Sequence, residues 1–204
     1  AKVALIEKQD IGGVCLNIGC IPTKALIKSA KVYKTIMNSE QFGIEITDKN
    51  FVKLNWKAVV KRKDDIVSKL TGGVKTLLTK NGVDIYQGMG NIKNTTEIEV
   101  NGEVLNTKNI IIATGASPII PPIPGVKEAY DQGIIITSKE ALSLPELPKQ
   151  VVVIGGGVIG IEFATIFSQM NVDVTVVEKM GSILINIDDE IRKTYERLLK
   201  KDNV

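Results

Sequence analysis

The sequence contains no histidine and only two cysteines among its 204 residues. Two thiols without a histidine do not complete a zinc site, which needs four ligands, and they are too few for a secreted disulfide scaffold. Aromatic residues make up only 4% of the chain, which leaves little for stacking nucleic-acid bases. No apolar run reaches the roughly 18 residues of a membrane helix, and the first residues lack the features of a signal peptide.

The composition is otherwise that of an ordinary globular protein. Twenty-six basic and 23 acidic residues leave a net charge of +3, which predicts no continuous basic surface. We therefore expect a cytoplasmic protein that binds neither nucleic acid nor a membrane. In such a setting a close cysteine pair is more often catalytic, metal-binding or inert than structural.

Periodicity predicts the elements of the first part of the chain. A short apolar run at 2–8 reads as a buried parallel strand, and apolar residues at helical spacing predict helices over about 21–38 and 55–80. Strands are then expected in "VDIYQG", "EIEV" and "EVLNTKNIIIATG", with a hairpin at Asn101-Gly102. Thr137 and Glu140 predict a capping box for a brief helix.

A second part begins after the two prolines of 144–150, where we place a domain boundary. The stretch "VVVIGGGVIGIEFATIFSQMNVDVTVVEK" predicts a strand, a glycine loop, a helix and a second strand that ends at Glu178. In this pattern Gly155 permits a tight turn, Gly157 lets the backbone approach a diphosphate, and Gly160 allows close packing of helix and strand. Glu178 is expected to bind ribose hydroxyls and to repel a 2′-phosphate, which favours NAD over NADP.

"VALIEK" near the start resembles "VTVVEK" in this second part. If both are second strands of a nucleotide-binding unit, the glycine loop of the earlier unit would precede Ala1 by about 16 residues. The chain is therefore expected to begin inside a domain.

The two cysteines lie in "GGVCLNIGCIPTKAL". In a regular helix, residues five positions apart have Cα atoms roughly 8.6 Å apart, beyond the approximately 7 Å that a disulfide spans. Cys15 and Cys20 can therefore bond only if the chain leaves helical geometry, for which Gly19 is suited. Three interpretations stay open: a reactive disulfide, half of a zinc site, or two inert thiols.

This cysteine motif resembles the redox-active signature of the flavoprotein disulfide reductases, and "IPTKAL" makes it most similar to their dihydrolipoamide dehydrogenase branch. "IEK", "QGMGNI", "IIATGASP", "GGGVIGIE" and "VVEK" follow in the family's order over essentially the whole chain. The resemblance implies two doubly wound α/β domains with a small antiparallel element: an FAD-binding domain over 1–147 and the first part of an NAD-binding domain over 148–204, both incomplete.

The resemblance also assigns roles to individual residues. Cys15 corresponds to the thiol that exchanges with substrate, Cys20 to the thiol beside the flavin, and Lys24 to a lysine near the flavin that pairs with Glu162; a plain surface lysine is the alternative for Lys24. The FAD contacts are expected at Glu7, Lys8, Gly12, Gly13, Val14, Lys24, Met89, Gly90, Ala113, Thr114 and Gly115. The NAD contacts are expected at Gly155, Gly157, Val158, Ile159, Gly160, Glu162 and Glu178.

The implied activity is oxidation of dihydrolipoamide through the cysteine pair and FAD, with NAD reduced to NADH. Its partners would be the lipoyl groups of 2-oxo acid dehydrogenase complexes or of the glycine cleavage system. In the family a general base comes from the other subunit of a homodimer, which agrees with the lack of histidine here. The 204 residues alone are therefore expected to be inactive. The alternatives are a mercuric or glutathione-type reductase and a redox-silent nucleotide-binding module.

Overall fold

A computed structural model describes residues 1–204 as a mixed α/β structure. The helices are α1 (Gly13–Ile18), α2 (Cys20–Met37), α3 (Trp56–Lys80), α4 (Val126–Asp131), α5 (Ser138–Ala141), α6 (Val158–Ser168) and α7 (Asp189–Lys201). Short 3-10 helices lie at Ser39–Phe42 and Lys49–Phe51. The strands are β1 (Val3–Glu7), β2 (Val83–Gln87), β3 (Gly90–Asn94), β4 (Glu97–Val100), β5 (Glu103–Asn106), β6 (Gln150–Ile154) and β7 (Asp173–Val177).

The chain divides into two compact units. Unit 1 comprises Ala1–Ile21 and Asp65–Ser117. Its strands β1 and β2 pair in parallel, from Val3 opposite Val83 to Glu7 opposite Gln87. Strands β3, β4 and β5 form a separate antiparallel meander, which confirms the small antiparallel element expected from the sequence.

Unit 2 comprises Pro22–Asp64 and Pro118–Val204. It contains the parallel pair of β6 and β7, joined through α6 as one βαβ connection. Helix α6 is apolar on most of its surface and supplies much of the core, because its residues Ile161, Phe163, Ala164, Ile166 and Phe167 are all buried. Leu26 and Ala30 of α2 are fully buried in the same unit. The parallel strand with its returning helix is the arrangement expected of a doubly wound domain.

The long helices and the hairpin agree with their sequence signals. Asn101 and Gly102 both have positive φ, 51° and 83°, as a tight two-residue turn between β4 and β5 requires. The capping box of α5 is formed by Thr137 and Glu140. The structure contains no helix whose length and hydropathy suit a transmembrane span.

The segment after β5 differs from the sequence prediction. Residues 107–115 form no strand, and Ile111 and Ile112 are 90% and 70% exposed. An apolar run indicates that a segment could form a buried strand, but the strand forms only where a neighbouring strand is available to share its hydrogen bonds.

The two compact units do not follow the domain boundary that the sequence predicted between residues 147 and 148. That boundary stays a prediction.

Candidate functional site

The two cysteines form a disulfide at the junction of two helices. Cys15 lies in α1, and Cys20 is the first residue of α2. Their Cα atoms are 4.7 Å apart, within the range that a disulfide spans. Both residues are exposed, so the bond is accessible to a dissolved or tethered thiol.

Gly19 makes this closure possible. It ends α1 with φ −133° and ψ −119°, so the helix is interrupted between the cysteines, as the spacing argument required. A Cβ at this position would lie 2.9 Å from the Val14 carbonyl oxygen and 3.0 Å from the Cys15 Cα. Because both neighbours are backbone atoms, a larger residue here would push the two helices apart.

The start of α2 favours a negative sulfur at Cys20. The helix is 18 residues long and has no acidic residue in its first turn. Amide groups at a helix N-terminus carry partial positive charge and stabilise a thiolate. Pro22 sits in the first turn, where its missing N–H has no cost.

Lys24 and Glu162 form an ion pair. The Lys24 Nζ donates to the Glu162 Oε1 over 2.5 Å and joins α2 to α6. The lysine side chain is 59% exposed and the glutamate side chain only 24%. The pairing expected from the resemblance is therefore present in the structure, while its role beside a flavin stays a prediction.

Glu7 ends β1 and presents a carboxylate in unit 1. Its Oε1 accepts the Gln9 amide over 2.8 Å, and the other oxygen makes no hydrogen bond in the structure. Gly12 and Gly13 follow with φ of 113° and 70°, a conformation that side chains rarely adopt. Lys8, which follows Glu7 in the chain, is exposed.

Two of the other predicted FAD contacts, Gly90 and Gly115, lie where the backbone comes close to α1 and β1. A Cβ on Gly115 would lie 3.2 Å from the Val14 side chain, and one on Gly90 would lie 3.3 Å from Ile6. The chain at Gly115 thus packs against Val14 of α1, and the start of β3 packs against β1. Met89, Ala113 and Thr114 are exposed. With a free carboxylate oxygen at the end of a parallel strand and bare backbone nearby, this set fits the adenosine part of FAD.

The glycine loop of unit 2 joins β6 to α6. Gly155 has a φ of 108°, which allows the sharp turn. A Cβ on Gly160 would overlap the Gly155 carbonyl oxygen and press on Val153, so strand and helix meet as closely as predicted. Gly157 faces open space and caps α6 without a side-chain hydrogen bond. Val158 and Ile159 in the first turn are 53% and 59% exposed.

Glu178 lies just beyond β7 and holds this loop. It accepts the Gly156 amide over 2.6 Å and the Met180 amide over 2.7 Å. The amides of Met180 and Gly156, by donating to the carboxylate, hold the pKa of Glu178 below its usual value. Each oxygen uses one acceptor position and keeps another for a ribose hydroxyl.

A pocket of about 220 Å³ opens between the glycine loop, Glu178 and the chain around 182–187. It lies at the N-terminus of α6, an 11-residue helix, where amides favour a diphosphate. The donor set, the open face of Gly157 and the acidic side chain therefore fit a dinucleotide such as NAD. The individual contacts remain predictions.

Sequence reasoning missed several polar residues that position these parts. Gln87 and Asn101 tie the ends of β1 and β2 to the β4–β5 hairpin. Trp56 donates to the Leu144 carbonyl oxygen, and the buried Lys63 donates to Ser143. The Asn-Gly pair predicted a turn but not the hydrogen bond that the Asn101 side chain makes. The other contacts join residues 78 to 88 positions apart in the sequence.

Comparison with known proteins identifies relatives of the whole chain. Residues 1–204 match the family described as pyridine nucleotide-disulphide oxidoreductase. The dihydrolipoyl dehydrogenase of Acholeplasma laidlawii is 53% identical over 204 residues, which are all of this chain and 60% of that protein. The dihydrolipoyl dehydrogenase of Bacillus subtilis is 42% identical over 216 aligned residues, covering all of this chain and 44% of that protein.

A solved structure has the same fold. The HOCl-induced flavoprotein disulfide reductase RclA of Escherichia coli, determined as a Cu(II) complex, superposes with a TM-score of 0.82 at 29% identity. The match covers all of this chain and 42% of that one. The chain thus spans between 42% and 60% of the length of these relatives.

Proposed function

Because the chain belongs to the pyridine nucleotide-disulphide oxidoreductase family, we propose that it forms part of an NAD-linked dihydrolipoamide dehydrogenase. The observation that carries the proposal is the exposed Cys15–Cys20 disulfide, in a chain 53% identical to a dihydrolipoyl dehydrogenase. Its substrates are then lipoyl groups of 2-oxo acid dehydrogenase complexes or of the glycine cleavage system, and it works in the cytoplasm.

The proposed reaction starts with thiol–disulfide exchange. A thiolate of dihydrolipoamide attacks the Cys15 sulfur, forms a mixed disulfide and displaces Cys20 as a thiolate. The second substrate thiol, once deprotonated, attacks the substrate sulfur bonded to Cys15, closes the lipoamide ring and releases Cys15. The substrate loses two electrons and two protons, and the enzyme disulfide becomes a dithiol.

The N-terminus of α2 supports the first displacement, because its amides stabilise the leaving Cys20 thiolate. Lys24 lies one turn further along the same helix, and its pairing with Glu162 holds a positive charge at a fixed place. The chain has no histidine, and the base that deprotonates the substrate thiol is proposed to come from the partner subunit of a homodimer.

Cofactor binding is divided between the two units. Bound FAD would supply the two-electron chemistry that reoxidises the dithiol, and bound NAD⁺ would supply the final hydride acceptor. Glu7 and the glycines at 12 and 13 are proposed to hold the FAD adenosine and diphosphate. Gly155, Gly157 and Glu178 are proposed to hold NAD in the same manner.

The test uses the full-length protein loaded with FAD. We expect NADH to form from NAD⁺ and dihydrolipoamide, and we expect Cys15→Ser and Cys20→Ser each to abolish turnover while both variants retain FAD. Lys57→Ala, an exposed change on α3, serves as the neutral control. Unchanged turnover in Cys15→Ser would disprove the role of the disulfide. Faster consumption of glutathione disulfide with NADPH would favour another reductase of the family.

A further inference from the structure

A chain of hydrogen bonds in unit 1 leads to the Glu7 carboxylate. Glu7 and Gln87 are the last residues of β1 and β2 and lie opposite each other in the parallel pair. The ladder continues one step beyond them, since the Gly88 amide donates to the Glu7 carbonyl oxygen over 2.9 Å. The backbone of Glu7 is therefore held by β2.

The side chain of Glu7 is held through Gln9. The Gln9 amide donates to the Glu7 Oε1 over 2.8 Å. The Gln87 Nε2 in turn donates to the Gln9 carbonyl oxygen over 3.1 Å. Gln87 thus fixes the residue whose amide orients the carboxylate, although Gln87 makes no hydrogen bond to the carboxylate itself.

Asn101 extends the chain to the β4–β5 hairpin. Its Nδ2 donates to the Gln87 carbonyl oxygen over 2.8 Å. The contact depends on Gly88, because a Cβ there would lie 2.5 Å from the Asn101 Oδ1. The bare backbone of Gly88 therefore leaves the space that the Asn101 amide occupies.

We propose that Gln87 and Asn101 are positioning residues that orient Glu7 for the ribose of the FAD adenosine. The inference rests on the proposed function, in which Glu7 binds that ribose. Glu7 is half-buried and Gln9 is exposed. A glutamate side chain that is only partly enclosed samples several rotamers unless it is restrained, and it must then be immobilised when the ligand binds. The tether through Gln9, Gln87 and Asn101 restricts this motion before FAD arrives.

Removal of either donor, the Gln87 or the Asn101 side-chain amide, should weaken FAD binding about threefold to tenfold. This range corresponds to the free-energy cost of immobilising one flexible side chain when the ligand binds. The full-length protein is stripped of FAD and titrated with it, as wild type, Gln87→Met and Asn101→Asp. Aspartate keeps the size and the tolerance of positive φ but cannot donate to Gln87. Asn91→Asp is the matched control, because Asn91 lies exposed on β3 without a side-chain hydrogen bond; its FAD affinity should equal that of wild type.

A double-mutant cycle with Glu7→Ala separates positioning from general stability. If Gln87 acts through Glu7, Gln87→Met causes no further loss of FAD affinity once the carboxylate is gone. The inference would be overturned if Gln87→Met weakened FAD binding as much in the Glu7→Ala background as in the wild type. It would also be overturned if Gln87→Met and Asn101→Asp both left FAD affinity unchanged. Either result would leave Glu7 as a ligand. Unchanged affinity in Glu7→Ala alone would instead disprove the proposed role of Glu7. Thermal unfolding of each apo variant shows whether an affinity change reflects loss of folded protein.

Discussion

At the scale of single residues, Gly19 is what allows the two cysteines to come close enough for a disulfide. The two cysteines lie five positions apart, and only an interruption between α1 and α2 brings their Cα atoms to 4.7 Å. Gly19 supplies that interruption, and its missing side chain leaves room for the Val14 carbonyl oxygen and the Cys15 Cα.

Gly19→Ala should therefore destabilise the oxidised protein by about 1–3 kcal/mol, the usual cost of overpacking against atoms that cannot move away. Denaturant unfolding of the oxidised chain measures this cost. Gly72→Ala is the matched control, because a Cβ at this helical position meets nothing within 4 Å and alanine favours a helix. Equal stability of Gly19→Ala and Gly72→Ala would contradict the argument.

The folding stability of unit 2 should depend on pH through the carboxylate of Glu178. Its folded-state pKa lies below the ordinary 4.5 because the Met180 and Gly156 amides stabilise the charged form. The ionised carboxylate therefore contributes stability above that ordinary pKa, and the contribution is lost as pH falls through the folded-state pKa.

Glu178→Gln should be less stable than wild type near neutral pH and should approach it in acid, because only the wild-type side chain loses a charge. Urea unfolding between about pH 6 and pH 3 measures both profiles. Profiles that stay parallel throughout that range would show that the carboxylate contributes nothing to folding through its charge.

At the scale of helices and strands, local pattern predicted most of the elements. The apolar spacing of α2 and α3 and the Asn-Gly turn are determined within a few residues, so sequence reasoning found them. The run at 110–113 has the same apolar character as a strand yet forms none, because a strand depends on a neighbour elsewhere in the chain. The same limit explains why Gln87 and Asn101 were missed: their contacts join residues distant in sequence.

Helix α3 anchors the segment that follows α5. Trp56, the single tryptophan, is buried, and its Nε1 donates to the Leu144 carbonyl oxygen over 2.8 Å. Trp56→Phe keeps an aromatic ring but leaves that carbonyl without its donor, and we expect a loss of about 1–3 kcal/mol. Unfolding followed by circular dichroism tests this. The exposed neighbour change Lys57→Ala should stay within about 0.5 kcal/mol, and an equally small effect of Trp56→Phe would contradict the anchoring role.

At the scale of the whole molecule, one arrangement occurs twice. Each unit has a parallel pair of strands with an acid at or just beyond the carboxyl end of one strand. Glu7 is the last residue of β1, and Glu178 directly follows β7. Ligands of such sheets bind at the carboxyl ends of the strands. The resemblance of "VALIEK" to "VTVVEK" in the sequence is thus matched by the place of the acid, which lies at the carboxyl end of a parallel strand in both units.

If Glu7 and Glu178 bind different nucleotides, a substitution at either acid should affect the binding of only one nucleotide. Glu178→Ser in the full-length protein should reduce the preference for NAD⁺ over NADP⁺ by about tenfold, or 1.4 kcal/mol, because it removes a charge that repels the 2′-phosphate. Steady-state kinetics with both coenzymes measures the preference, and FAD titration should show unchanged affinity. Glu7→Ala should give the reverse, with weaker FAD binding and an unchanged coenzyme preference. If either variant altered both properties, the division of binding between the two acids would be wrong.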